Sequence, residues 1–105
     1  MVPLSTKTLA LINKMVSPER KQTFIQCLEN KVADNLHLAE DATPFNLERF
    51  RFAVIKIAAN NSEKFESAIE LAGRDWRDLL MAAEFADLLE AHERWADQEL
   101  ARLEN

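Results

Sequence analysis

Tyrosine is missing from the chain, and glycine and cysteine occur once each among its 105 residues. Sheets use glycine at their turns and β-branched runs between them; this chain supplies neither, so a β-rich fold is excluded and an all-α one is expected. The lone Cys27 leaves no internal disulfide and suits a reducing cytoplasm. No stretch approaches the ~20 apolar residues of a membrane span. The opening MVPLSTKTLALINK has an apolar run too short for a secretory signal and no small-residue cleavage site, so the expected location is the cytoplasm.

What is present is ordinary for a globular protein: 48% hydrophobic and 30% charged residues. A chain of this length buries about 65% of its unfolded surface, enough for one core without disulfides or a metal. One helical domain over residues 1–105 is the expectation. The fold should be organised around residues 45–60, FNLERFRFAVIKIAAN, in which ten of sixteen positions are apolar. Glu48, Arg49, Arg51 and Lys56 leave only a narrow wet strip, and a helix this oily must be surrounded by others.

The flanking helices follow from periodicity and caps. Residues 4–16 carry Leu9, Ile12 and Val16 at helical spacing behind Ser5 or Thr6 as N-cap. Ser17-Pro18 opens a second helix over residues 18–39 with the stripe Phe24, Leu28, Val32 and Leu36, widened by Ile25. Thr43-Pro44 launches the central helix, and Asn60-Asn61-Ser62 closes it and caps the next. Residues 63–72 bury Phe65, Ala68, Ile69 and Ala72. Gly73 stands where a left-handed C′ residue is expected. Asp75, with Asp78 three residues on, caps a short helix over residues 76–84 with Trp76, Leu79, Leu80 and Ala83 inward. The stripe loses phase near residues 85–87 and restarts at Leu89, His92, Ala96, Leu100 and Leu103, with Asp87 and Glu90 repeating the cap pattern. The expected architecture is a compact single-domain bundle of five or six helices around the central hydrophobic one.

The block Asp75-Trp76-Arg77-Asp78-Leu79-Leu80, followed by Ala82-Ala83, Phe85-Ala86, His92 and Trp95, resembles a group of small bacterial proteins with a DWRDLL-x-AA-x-F segment near the C-terminus. Phe50-Arg51-Phe52-Ala53-Val54 belongs to the same resemblance, which covers roughly the last 55 residues. It implies a small bacterial helical protein, associates glycine with the position of Glu84, and carries over no activity and no functional residue.

Chemistry-bearing constellations are sparse. His92-Glu93-Arg94-Trp95-Ala96 begins like a zinc-protease HExxH but has alanine where the second histidine is needed. With His37 distant and no cysteine pair, neither a metal nor a cofactor is implied, and His92 reads as a half-buried histidine hydrogen-bonded to a neighbour. No acid or histidine at nucleophile spacing supports Cys27 as a catalytic thiol, and no motif supports an enzyme. Trp76 and Trp95 sit at core spacing, as anchors rather than a ligand cage, and Arg77 braces a helix start.

Charge is uneven: residues 1–60 carry a net +2 and residues 61–105 a net −7. A helix-turn-helix can be drawn over residues 63–83, but its second helix opens on Asp75-Trp76-Arg77-Asp78, too acidic for phosphates, so nucleic acid is disfavoured as a partner. On the last helix Glu90, Glu93, Asp97 and Glu104 fall within about 60° of one another at 100° per residue, with Asp87 and Glu84 at the same end. These acids serve solubility or dock a basic protein. The leading expectation is a non-enzymatic interaction protein, with a toxin-neutralising immunity protein or antitoxin as the concrete case. A nucleic-acid-binding regulator and a self-associating protein whose bundles share an apolar face are the alternatives.

Overall fold

Proline after a hydroxyl residue opens two of the helices, as local chemistry dictates: Pro18 follows Ser17, and Pro44 follows Thr43. The computed structural model describes residues 2–33 and 43–102. These residues form α1 (Thr6–Met15), α2 (Pro18–Lys31), α3 (Pro44–Ala58), α4 (Ser62–Arg74), α5 (Trp76–Ala82) and α6 (Ala91–Ala101), with no strand among them. Ser5, Thr43, Asn61 and Asp75 each accept a backbone N–H of the helix they precede, satisfying donors that would otherwise be orphaned. Ser17 instead donates its own N–H to the Asn60 side chain at 2.8 Å, tying the start of α2 to the turn before α4.

The central helix is α3, which packs against α1, α4, α5 and α6; α2 lies outside that shell and packs on α1 and α4. Phe50, Phe52, Ala53, Val54, Ile55 and Ala58 of α3 are buried with Leu11 and Ile12 of α1, Phe65 of α4 and Leu79 of α5 in one apolar cluster. Full burial of the Phe, Leu, Ile and Val side chains among these is worth about 1.5–3 kcal/mol each.

Five expectations are corrected. Arg51 does not lie on a wet strip; its residue is only 3% exposed. The buried face of α1 is Thr8, Leu11 and Ile12, while Leu9 points outward. Helix α2 ends at Lys31, where Val32 turns off the helical path; Leu36 and His37 lie outside the described residues. Gly73 is not a left-handed stop. No glycine has positive φ, and α4 runs on to Arg74, because Asp75 makes the turn in extended conformation (φ −157°) while its carboxylate takes the α5 amides. Helix α6 begins at Ala91, not near Asp87, and Leu89 is exposed.

Left-handed backbone appears at Ala59 (φ 51°), Asn60 (φ 88°) and Glu84 (φ 64°). The first two turn the chain from α3 into α4; Glu84 turns it out of α5, in the conformation glycine favours.

Candidate protein-docking surface

The cations of α3 decide what the outside of the molecule looks like. Arg51 donates from Nε to the Val32 carbonyl at 2.9 Å and from its two terminal nitrogens to the carbonyls of Pro3 and Val2 at 3.1 and 2.7 Å. Arg49 donates to the Phe85 carbonyl at 2.8 Å, and Lys56 to the Ala83 carbonyl at 2.7 Å with its ammonium 4.9 Å from the centre of the Phe85 ring. Burial lowers the proton affinity of both guanidiniums, with Glu29 and Glu48 opposing that effect at Arg51. These three α3 cations are thus spent on internal carbonyls, and the outer surface is more acidic than the net charge of −5 suggests.

Two of these cations hold the connector of residues 83–90 between α5 and α6. Its near end is fixed by Arg49, by Lys56 and by the buried Phe85 ring. Beyond that anchor the chain turns outward. Met81 is 65% exposed, Leu88 50% and Leu89 61%, the three most exposed large hydrophobic side chains among the described residues. Asp87 and Glu90 flank Leu88 and Leu89 along the chain, with Glu84 near the start of the connector, all three acids exposed. Apolar side chains that face water within an acidic frame are the composition of an interaction site.

Compared with models of known protein families, with curated proteins and with solved structures, the chain matches none.

The acids singled out from the sequence have different surroundings. Asp87 is exposed in the connector with no ion-pair partner among the described residues. Glu90 precedes α6, makes no capping bond, and reaches Arg94 one turn on at 3.4 Å. Glu93 is half-buried in the first turn of α6. Asp97 is not part of a free acidic stripe: Lys7 of α1 meets it at 2.5 Å. Glu104 lies outside the described residues. The acidic surface therefore contracts to the connector and the first turn of α6. Met81 and Leu88 were missed by sequence reasoning. The available signal was Leu88-Leu89 bracketed by Asp87 and Glu90, in a stretch out of phase with the preceding stripe.

Behind this surface lies His92, fully buried and ringed by aromatic side chains. Phe45 meets it edge-on at 5.0 Å between ring centres, with Phe52 at 5.6 Å and Phe85 at 6.3 Å. Among the described residues neither ring nitrogen has a hydrogen-bond partner, which corrects the half-buried, hydrogen-bonded reading. Burial lowers its pKa, and Arg49 adds to that, while the Glu93 and Glu48 carboxylates act in the opposite direction. Among the described residues no three His, Cys, Asp or Glu side chains come together as a metal site, and no helix is long and apolar enough to cross a membrane. The two tryptophans are half-buried on the core, and the Arg77 guanidinium lies 5.0 Å from the Trp76 ring centre. At the start of α5, where a nucleic-acid phosphate would approach, the Asp75 carboxylate already occupies the amides of Arg77 and Asp78.

Proposed function

We propose that this chain is a non-enzymatic binding protein that captures a basic protein partner at the connector between α5 and α6. The observation that carries this reading is the group of exposed Leu88 and Leu89 with Asp87, Glu84 and Glu90, on a connector whose near end, at Ala83 and Phe85, is clamped by Arg49 and Lys56. The clamp limits the ordering cost of binding, the leucines supply area to desolvate, and the acids steer a cationic surface into place. A partner with basic side chains around an apolar patch fits this chemistry. Inhibition of a basic nuclease, the task of an immunity protein or antitoxin, is the concrete case.

The test compares the intact chain with Asp87→Lys/Glu90→Lys and with Leu88→Ser/Leu89→Ser, titrated against a panel of basic ribonucleases and deoxyribonucleases. Affinity for one member at about 10 mM salt should fall at least about tenfold at about 150 mM and about tenfold in each variant, with helical circular dichroism unchanged. Inhibition of none, or inhibition indifferent to both variants, refutes the proposal.

A further inference from the structure

Apart from the connector, α2 and α4 lie side by side and run in the same direction. Asn60, just before α4, accepts from Ser17 and receives the Arg20 guanidinium at its carbonyl at 3.1 Å, and further along the Phe24 and Phe65 rings stack at 3.8 Å with 13° between planes. Between the two helices runs a groove of about 790 Å³. Its floor is Phe24 and Phe65 with half-buried Cys27 and Ile69.

The walls carry opposite charge. Arg20 and Lys31 line the α2 side, with Glu19 at its outer end, and Glu66 and Glu70 line the α4 side. Glu70 pairs with the exposed Arg74 one turn on, at 3.3 Å, and among the described residues no ion pair crosses from one wall to the other and none involves Lys31. Such an exposed i,i+4 pair is worth a few tenths of a kcal/mol and yields to a better one. Counting up from the stacked rings at 1.5 Å per residue, Lys31 and Glu70 stand within about 3 Å of the same height.

We propose that this groove is a self-complementary surface that pairs two copies of the chain. A twofold axis parallel to the groove lays α2 of one copy over α4 of the other and preserves height. Lys31 then meets the partner's Glu70 twice in the dimer, while Cys27 and Ile69 of both copies close over the two ring stacks. Neither helix belongs to the α5–α6 connector, and the substitutions that test the dimer differ from those that test the docking surface, so the two readings can fail separately.

The experiment is sedimentation equilibrium with a charge exchange. The native chain should show concentration-dependent dimerisation. Lys31→Glu alone and Glu70→Lys alone each place like charges together at two points, and each should weaken the dimer at least about tenfold. An equimolar mixture of the two variants restores two opposite-charge pairs and should recover dimerisation as a heterodimer. Both substitutions are on exposed positions, and circular dichroism verifies the fold. A second readout is the Cys27 thiol, whose reaction with an aromatic disulfide reagent should slow as protein concentration rises. A native chain that stays monomeric to about 1 mM, single variants that dimerise like the native chain, or a mixture that fails to recover would each overturn the proposal.

Discussion

A histidine with both nitrogens buried, and unpartnered among the described residues, makes folding depend on pH in a sign that its surroundings dictate. Burial, the largest influence, lowers the folded pKa of His92 below its ordinary value near 6.5, which the unfolded chain keeps. Above about pH 7 the ring is neutral in both states. As pH falls through about 6.5 the unfolded chain takes up the proton while the folded one resists, so stability declines by up to about 1.4 kcal/mol per unit until the folded pKa is reached. Leucine has nearly the same volume and no nitrogen to satisfy. His92→Leu should leave stability at pH 7 equal or higher and reduce the loss between pH 7 and 5, measured as urea midpoints of both chains. Equal slopes for the two would show that His92 does not set the dependence. Because both chains keep His37, the difference between them isolates His92.

At the scale of elements, the cations of α3 act as latches on backbone that has no helix of its own to satisfy it. Removing the Lys56 ammonium leaves the Ala83 carbonyl without its donor and frees the Phe85 ring on one side. Lys56→Met should therefore speed amide exchange at Glu84 and Phe85 about tenfold, while amides of α1 and α2 exchange as before; uniform acceleration would mean the latch supports the whole fold instead. Helix starts could be read from the sequence because a cap is a local event: Ser5, Thr43, Asn61 and Asp75 each serve an amide two or three residues ahead. Helix ends were harder. Gly73 resembled a stop only because glycine makes left-handed turns easily, whereas the chain makes them at Ala59, Asn60 and Glu84, where side chains must tolerate the strain. The late start of α6 was hidden because Asp87 has capping chemistry but sits in a connector held by Arg49 and Lys56, residues more than 25 positions away.

For the molecule as a whole, the same limit applies to the acidic surface: nothing near Asp97 in sequence reveals that Lys7 neutralises it, and nothing near Arg51 reveals the carbonyls it serves. Arg51 joins the first residues of the chain, the end of α2 and the middle of α3 through three bonds. Arg51→Leu should cost about 3 kcal/mol, since charged hydrogen bonds are lost and buried oxygens are left unsatisfied. Arg51→Lys should recover only part of that, because one ammonium cannot span three oxygens in a planar fork. Thermal melts of the three chains check both statements, and an Arg51→Lys chain as stable as the native one contradicts the fork. All three oxygens are main-chain atoms, supplied by any amino acid. Descendants of this chain are therefore free to rewrite positions 2, 3 and 32 as far as packing allows, while a guanidinium at 51 has no substitute; kinship would persist longest at a residue whose neighbours no longer look alike.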